Sequence, residues 1–503
     1  MPISRTLEID EREVAEVIDR VRERLGLPRC ETAPSSAAAP AGDSASAAVA
    51  LGASAGPLAA DPAQGIHPSV ESALQAAQEA FRAYALVGLE RRYCIVEAIR
   101  RAALAEAGRL AHLALEETGM GRLEDKAAKI RIVAEKAPGP EDLEPRAATG
   151  DRGMMITEWA PFGILAAITP VTNPASTVVN NTISGISAGN AVVFNPHPGA
   201  KRVSAETVRV LNRAIVEAGG PSGLVTAVAD PSIDSARQLM NHEAVSVLVV
   251  TGGGAVVREA LKTTKRAVTA GPGNPPVVVD DTADLEKAGR DIVLGASFDN
   301  NIVCVDEKEV LVLDRVADRL IESMQRHGAR LLSGQELRKV ERLIFTQPGD
   351  RSVPGTVDVR WVGKDADRIL AAIGGRADRE IRLLIAEVPQ DHPLVLTEQL
   401  LPVLPIVRVR DVSEAIVLAV QVEHGFKHTA SIHSTNVDTI TRMARAMNCS
   451  IFVANGPCYA GLGAGGEGFT SFSIASPSGD GMTRPRTFSR ERRVAVVGAL
   501  RIV

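Results

Sequence analysis

The sequence predicts an α/β protein in which two doubly wound domains, each a parallel sheet between helices, follow one another. From Gly153 onward, short β-rich runs alternate with helical segments, which is the pattern of βαβ units. At 503 residues the chain exceeds one ordinary core, because domains span about 100 to 200 residues. We therefore expect one domain over residues 66–270 and a second over residues 271–455.

The strands of the first domain are predicted from apolar runs that are separated by helical spacing. Residues 68–137 are mostly helical in pattern and precede these strands. The predicted strands are Ile164–Ile168, Ala191–Phe194, Leu224–Val228, Val245–Val250 and Ala267–Thr269. Apolar runs of this length, with helices between them, indicate a sheet buried on both faces.

A glycine-rich turn connects one of these strands to the next helix. The run VSVLVVTGGGAVVREALK places Gly252, Gly253 and Gly254 at that turn. Such a turn lets a backbone approach a dinucleotide and points helix N-terminal amides at it. The spacing is not GxGxxG, and similar turns occur in proteins without a ligand, so the turn alone leaves both interpretations open.

The amino-terminal region is predicted to be a helix on a flexible linker. Over residues 5–27, apolar side chains recur at helical spacing among charged ones, which predicts a short amphipathic helix within a targeting segment, residues 1–30. Residues 31–65 are rich in Ala, Ser and Pro and too poor in large apolar side chains to form a core. The apolar face of the helix therefore needs another surface, and a partner protein is favoured over docking on the chain itself.

The carboxyl-terminal segment, residues 456–503, ends in RTFSRERRVAVVGALRIV. Basic and β-branched residues alternate in this tail, which predicts an edge strand that serves in oligomerisation. We expect a homo-oligomer, a dimer or a tetramer.

Composition limits the function classes. The hydrophobic fraction is 45%, the charged fraction is 23% and the formal net charge is -5 at pH 7. No overall positive field would attract nucleic acid or anionic lipid. The amino terminus lacks the apolar core of a signal peptide, no apolar run reaches ~18 residues, and the cysteines show no CxxC spacing. These observations predict a cytoplasmic protein with no membrane, nucleic-acid or metal partner.

Cys304 is the candidate nucleophile. It lies in SFDNNIVCVDEKEVLVL, a polar segment between an amphipathic helix and a strand-like run. A thiol displayed there can attack a carbonyl and keep the product as a thioester. A lone cysteine is more often inert packing, so the residue needs support from other segments.

Four segments, which include the glycine turn and the Cys304 segment, carry a family resemblance when they are taken together with their order. They are ITPVTNPASTVVNNTISGISAGNAVVFNPHPGAK, VVTGGGAVVREAL, SFDNNIVCVDEKEV and NGPCYAGLGAGGEGFTSFSIASPSGDG. From about residue 66 to its end the chain resembles the aldehyde dehydrogenase superfamily and, within it, the CoA-acylating propionaldehyde and acetaldehyde dehydrogenases of bacterial microcompartments. The helix and linker at the amino terminus resemble the encapsulation peptide that targets such enzymes to a shell protein, which implies a location inside a microcompartment.

The resemblance implies roles for individual residues. It makes Cys304 the nucleophile, NAD the cofactor and CoA a co-substrate, and it implies that Glu398 in TEQLLPVLP hydrogen-bonds the nicotinamide ribose. From the residues alone, Glu398 reads as a solvated loop carboxylate. The remaining residues implied to bind the cofactor are Thr169, Pro170, Asn195, His197, Thr251, Gly252 and Gly253.

Two departures from the superfamily pattern bear on the reaction. Thr269 stands where hydrolytic members carry the glutamate that activates water. A thioester on Cys304 would then await CoA instead of being hydrolysed. Asn195 and Pro198 stand where hydrolytic members carry a lysine and a glutamate on the adenosine ribose, so the preference for NAD over NADP rests on the resemblance alone.

Two catalytic assignments stay open. Asn173 is displaced by one position from the superfamily asparagine that binds the oxyanion beside the Cys304 amide, and a structural loop asparagine is the alternative. His428 is a candidate base for CoA, but a histidine in a strand-like run is often only hydrogen-bonded structure. We also expect nearby cationic charge to help ionise Cys304.

The function predicted from these residues is NAD-dependent, CoA-acylating oxidation of a short aliphatic aldehyde, with propionaldehyde favoured over acetaldehyde. The alternatives are a relative that hydrolyses aldehydes or reduces acyl phosphates with the same thiol, and a shell-associated scaffold with a vestigial dehydrogenase fold.

Overall fold

The structure, a computed structural model, describes residues 58–349, 354–376 and 379–501. The predicted helix over residues 5–27 and most of the linker lie outside these ranges, so both stay predictions. In the described part of the chain, no helix is long and apolar enough to cross a membrane.

The first half of the chain alternates strands and helices after a helical start. Its strands are β1 Ile66–His67, β2 Arg146–Gly150, β3 Gly153–Pro161, β4 Ile164–Thr169, β5 Ala191–Pro196, β6 Val225–Val228, β7 Val245–Thr251 and β8 Arg266–Ala270. Its helices are α1 Val70–Tyr84, α2 Leu89–Thr118, α3 Leu123–Lys136, α4 Pro174–Ser187, α5 Lys201–Glu217, α6 Ile233–Asn241 and α7 Gly254–Leu261. The strands predicted from apolar runs coincide with β4 to β8, with ends that differ by one or two residues.

A parallel sheet in the order β1-β6-β5-β4-β7-β8 organises this half. Its central strands are fully buried, since every residue of β4, β5 and β6 is buried. The chain enters the sheet centre at β4, runs outward through β5 and β6, and then returns to β4's other side at β7. The strand order therefore reverses beside β4, and open α/β sheets bind ligands at the carboxyl ends of such strands.

The second half repeats this architecture. Its strands are β9 Pro276–Val279, β10 Glu309–Leu313, β11 Ala329–Leu331, β12 Phe345–Gln347, β13 Thr356–Val357, β14 Leu383–Glu387, β15 Val403–Val409, β16 Thr429–His433 and β17 Ile451–Ala454. Its helices are α8 Leu285–Ala296, α9 Asp314–Arg326, α10 Gly334–Ile344, α11 Ala366–Ala372, α12 Pro393–Leu396, α13 Val412–Val422 and α14 Val437–Met447. A second parallel sheet runs in the order β11-β14-β15-β10-β9-β16-β17.

The carboxyl-terminal segment returns to the first half of the chain. It contains β18 Ile474–Ala475, β19 Gly481–Met482 and β20 Ser489–Val497. β20 pairs antiparallel with β3 along its whole length, in a small sheet of order β2-β3-β20. The tail is thus an edge strand, as its alternation predicts, and it lies on a sheet of its own chain.

Two separate hydrophobic cores support the two parallel sheets. The first combines β4 to β7 with α1, α2 and α4, and it also includes Phe472, Ile474 and Phe488 from the carboxyl-terminal segment. The second combines β9, β10 and β14 to β16 with α8, α9 and α13. Each sheet is therefore a rigid support for the loops at its edges.

Candidate active site

A cavity of about 430 Å³ lies at the carboxyl edge of the first sheet. This volume is within the range of small-molecule sites. The strands that meet there are β4, β5 and β7, on either side of the point where strand order reverses. The residues predicted to bind the cofactor that border this cavity are Thr169, Pro170, Asn195, His197, Thr251, Gly252 and Gly253.

The glycine turn leaves one wall of this cavity open. Gly253 is the N-cap of α7, and a Cβ placed on it would meet no atom within 4 Å. The first turn of α7 borders the cavity with Ala255 and Val256, and helix N-terminal amides favour anionic groups. A dinucleotide phosphate fits this arrangement.

Hydrogen bonds fix the other walls. The Ser235 hydroxyl donates to Asn195 Oδ1 at 2.6 Å, and Ser235 belongs to the capping box that starts α6. On the opposite side, the Thr251 hydroxyl lies 3.2 Å from the hydroxyl of Ser473, which donates to Asn181 Oδ1 at 2.9 Å. The carboxyl-terminal segment, through Ser473, thus helps to build the cavity.

Several residues that border the cavity were missed by sequence reasoning. Ser232 and Ile233 start α6, and Arg237, Arg258 and Glu259 also border the cavity. These residues lie on two consecutive helices, α6 and α7, and form no local motif, so only the fold brings them together.

Three of the predicted site residues, Cys304, Glu398 and His428, lie together with Gly273 at the amino edge of the second sheet. Gly273 precedes β9, Cys304 precedes β10, Glu398 precedes β15 and His428 directly precedes β16. In that sheet β10 lies between β9 and β15, and β16 pairs with β9. Because all these strands are parallel, their amino ends meet at one edge and bring the four loops together.

Gly273 lies at the centre of this cluster. Its backbone N–H donates to Glu398 Oε1 at 3.2 Å. A Cβ placed on Gly273 would lie 2.8 Å from the Cys304 carbonyl oxygen and 3.1 Å from the His428 ring. Gly273 is therefore surrounded by Cys304, His428 and Glu398, and a larger side chain at this position would collide with its neighbours.

The two edges are connected through the backbone. The Gly252 N–H donates to the carbonyl of Ala270, the last residue of β8, at 3.1 Å. From Ala270 the chain runs directly to Gly273. The glycine turn that borders the cavity is therefore joined to the thiol cluster of the second sheet through residues 270–273.

The environment of Cys304 keeps its thiol protonated, contrary to the expectation of an ionised thiol. Burial first, and then the nearby Glu398 carboxylate, together raise the pKa of Cys304 to about 12. Lys308 is the cation that opposes this rise in pKa. Cationic charge is present as expected, but desolvation and a carboxylate outweigh it.

Lys308 is a site residue that sequence reasoning missed. Its side chain is fully buried, and its Nζ donates to the carbonyl of Asn301 at 2.9 Å and to Asn301 Oδ1 at 2.7 Å. These bonds hold the loop that carries Cys304. The lysine four residues after Cys304, in CVDEKEV, was the available signal.

His428 is buried, and its imidazole is held in one orientation. Its Nδ1 lies 2.8 Å from the Thr429 hydroxyl, and its backbone N–H donates to Glu423 Oε1 at 2.8 Å. Nε2 has no hydrogen-bond partner among the described residues. Burial, and then Lys308, lowers the pKa of His428 to about 4, so the imidazole is neutral at neutral pH. A neutral imidazole with a free ring nitrogen can accept a proton.

Glu398 does not border the cavity of the first sheet. It lies beside Cys304 and Gly273, where burial raises the pKa of its carboxyl group against the opposing effects of Lys308 and the Gly273 amide. It is therefore no solvated loop carboxylate.

Asn173 is the N-cap of α4 and is buried. Its Oδ1 accepts a hydrogen bond from Lys129 Nζ at 2.6 Å, and its Nδ2 donates to the Thr172 hydroxyl at 3.2 Å. Thr269, in contrast, is fully buried in β8 and presents a hydroxyl in place of a carboxylate.

Two doubly wound sheets, one bordering a cavity and the other gathering a thiol, an imidazole and a carboxylate, define an enzyme of the α/β class. Residues 55–472 match the model of the aldehyde dehydrogenase family. The chain belongs to the aldehyde dehydrogenase family, and its fold is the α/β fold of that family.

Individual relatives are similar over most of their length. The chain is 50% identical to the acetaldehyde dehydrogenase (acetylating) EutE of Salmonella typhimurium over 440 residues, which cover 87% of this chain and 94% of the relative. The propionaldehyde dehydrogenase of Rhodopseudomonas palustris with bound propionyl-CoA is 44% identical, with a TM-score of 0.85 over 88% of this chain and 97% of that one. The same enzyme has been seen with bound CoA and an acylated cysteine.

A third similar structure is the propionaldehyde dehydrogenase from the fucose utilisation bacterial microcompartment of Clostridium phytofermentans. It is 41% identical, with a TM-score of 0.85, and the match covers 87% of this chain and 100% of that one.

Proposed function

We propose that this chain is a CoA-acylating aldehyde dehydrogenase that converts a short aliphatic aldehyde, CoA and NAD to acyl-CoA and NADH. The observation that carries the proposal is the cluster around Gly273, which joins Cys304 and the neutral imidazole of His428 beside the cavity. The relatives named for acylating chemistry, and the acylated cysteine of one of them, support it.

The cavity at the first sheet would hold the cofactor. Thr169, Asn195 and Thr251 form its fixed walls, and Gly253 leaves space for the phosphates. Bound NAD supplies the hydride acceptor. Arg237 and Arg258 border this cavity together with Glu259. Their guanidinium groups favour a further phosphate and the carboxylate opposes it, so the choice between NAD and NADP is part of the assay.

Cys304 would form the covalent intermediate. Its thiol loses a proton and its sulfur bonds the aldehyde carbon, and after loss of a hydride from that carbon a thioester remains. Glu398, which lies next to the thiol, is a nearby proton acceptor, and we retain its predicted contact with the nicotinamide ribose as a proposal. The oxyanion would be bound by the Cys304 amide and the loop of Thr172 and Asn173.

CoA would then release the acyl group. The sulfur of CoA bonds the thioester carbon, the bond to Cys304 breaks, and the proton of the CoA thiol passes to Nε2 of His428. In the tautomer whose Nδ1–H donates to the Thr429 hydroxyl, Nε2 carries the lone pair that this step needs. Thr269 offers no base for water, which favours CoA as the acceptor.

Product analysis tests this function. Purified protein with C2 to C4 aldehydes and NAD is expected to form acyl-CoA only when CoA is present, as measured by mass spectrometry. Cys304→Ala is expected to abolish acyl-CoA formation, because no other described thiol lies in this cluster, whereas Cys449→Ala retains activity. Cys449 is a suitable control because its thiol donates to the Ile451 carbonyl and to no side chain of the Gly273 cluster.

The same assay separates the alternatives. Free acid formed at an equal rate without CoA would indicate a hydrolytic enzyme, and acyl phosphate consumption would indicate an acyl-phosphate reductase. Negligible turnover by both the wild-type protein and Cys304→Ala would indicate a scaffold with a vestigial dehydrogenase fold. The aldehyde series also decides between propionaldehyde and acetaldehyde, since relatives named for each are similar to this chain.

We also propose that residues 5–27 bind a microcompartment shell protein and that the chain forms a homo-oligomer. The amphipathic pattern of residues 5–27 and the microcompartment relative support the first proposal. Exposed Val494 and Val497 on β20, at 60% and 85%, support the second. Deletion of residues 1–30 is expected to abolish encapsulation and leave activity intact, and lost activity would contradict a targeting role.

A further inference from the structure

A buried charged cluster joins helix α3 to the loop that carries Cys304. Lys126 and Lys129 on α3 are 3% and 2% exposed, and Asp299 is fully buried. Both ammonium groups donate to Asp299 Oδ2, from 3.2 Å in the case of Lys126. Two lysines on one buried carboxylate are unusual, because lysine is almost never fully buried unless it is paired.

Lys129 differs from Lys126 in one contact. Its Nζ also donates to Asn173 Oδ1 at 2.6 Å, whereas Lys126 has no such bond. An ammonium group can only donate, so Asn173 has to present its oxygen to Lys129. The amide nitrogen then faces the other way, where it donates to the Thr172 hydroxyl at 3.2 Å.

The direction of these bonds matters for the reaction. A developing oxyanion needs N–H or O–H donors, and an amide turned by 180° would present oxygen lone pairs instead. With the Lys129 contact in place, the Asn173 amide keeps a second N–H, and the Thr172 hydroxyl accepts from Asn173 and keeps its own hydrogen for donation. Lys129 therefore keeps the amide N–H of Asn173 and the hydroxyl of Thr172 in an orientation in which both can donate.

Asp299 gives Lys129 a fixed position relative to Cys304. The residues Asp299, Asn300 and Asn301 all have left-handed backbone angles, with φ of 43°, 56° and 65°. Asp299 Oδ1 also accepts from the Arg122 backbone N–H at 2.6 Å. The strained loop that leads to Cys304 is thus attached to the same side chain that orients Asn173.

We propose that Lys129 is a positioning residue for the oxyanion site, which it sets by holding the Asn173 amide in its donor orientation relative to the Cys304 loop. The inference rests on the proposed function, because it assigns the loop of Thr172 and Asn173 to the oxyanion of that reaction.

The experiment compares Lys129→Met with Lys126→Met, since both remove a buried ammonium group from the same Asp299 oxygen. The readout is the single-turnover rate of NADH formation without CoA, which reports acylation of Cys304. Lys129→Met is expected to lower this rate roughly 10- to 100-fold, the usual size of an outer-contact effect, with KM for NAD changed less than about threefold. Lys126→Met is expected to keep the rate within about threefold, even where its melting temperature falls.

A double-mutant cycle tests whether Lys129 acts through its contact with Asn173. Asn173→Ala is expected to lower the acylation rate, and adding Lys129→Met is expected to lower it no further, because the two residues act through one contact. Equal rates for Lys129→Met and Lys126→Met, or additive losses in the double variant, would overturn the proposal. Absence of acyl-CoA with the wild-type protein would instead refute the proposed function.

A second pair of variants covers the case in which Lys129→Met does not fold. The guanidinium group introduced by Lys129→Arg would still only donate, whereas the amide introduced by Lys129→Gln can turn either end toward Asn173. The arginine variant is expected to acylate faster than the glutamine variant, and equal rates would count against the proposal.

Discussion

The two sheets contribute to the site through opposite edges and with different chemistry. The carboxyl edge of the first sheet offers backbone, hydroxyl and amide groups, together with Arg237, Arg258 and Glu259, around an open cavity. The amino edge of the second sheet places a thiol, a carboxylate, an imidazole and a lysine close together. The difference teaches that an open cavity can combine polar and charged groups, while close packing around a thiol shifts the pKa values of the groups that surround it.

The largest effect is expected from a substitution at the amino edge of the second sheet. His428→Ala is expected to lower the steady-state rate of acyl-CoA formation roughly 100-fold, because it removes the base for the CoA thiol. The NADH burst without CoA is expected to stay, since acylation of Cys304 precedes that step. Stopped-flow absorbance measures the burst, and an equal loss of burst and turnover would place His428 in the acylation step or in folding.

A smaller effect is expected at the first edge. Gly253→Leu fills the open wall of the cavity and is expected to raise KM for NAD roughly tenfold, with little change in melting temperature. Gly88→Leu is a matched control, because Gly88 is also an N-cap with φ of -63° and free space around its Cβ position. An equal change of KM in both variants would show that the cavity at Gly253 does not hold the cofactor.

The smallest effect is expected from removing the charge of Glu398, whose carboxylate raises the pKa of the Cys304 thiol. In the free enzyme, alkylation of Cys304 by iodoacetamide is expected to rise about tenfold per pH unit from pH 7 to 10, because a thiol with a pKa near 12 is protonated throughout that range. Glu398→Gln removes a charge that raises the thiol pKa, so the pKa falls and the alkylation rate at pH 8 increases a few-fold. A plateau near the ordinary cysteine pKa would contradict the buried environment, and KM for NAD in Glu398→Gln tests the ribose contact.

The sequence predicted the fold where local pattern is sufficient. β4 to β8 are short apolar runs between helices, and buried parallel strands require that pattern. The glycine turn was likewise visible, but its neighbours Arg237 and Arg258 were not, because they come from separate helices.

The chemistry was predictable only in part. The motif around Cys304 predicts a nucleophile, yet the thiol pKa depends on burial and on Glu398, which is separated from Cys304 by almost a hundred positions. The orientation of Asn173 was equally hidden, since it depends on Lys129 from another helix. Such contacts follow from sheet order and register, which single-residue patterns do not contain.

The path of the carboxyl-terminal segment has a consequence for biosynthesis. Ser473 contacts Thr251, Asn190 Nδ2 donates to the Phe488 carbonyl at 2.8 Å, and β20 covers β3. The first half of the molecule therefore remains unfinished on the ribosome until the second sheet has been translated. A nascent chain cannot complete the walls of the first cavity early, so the half that is translated first becomes complete last.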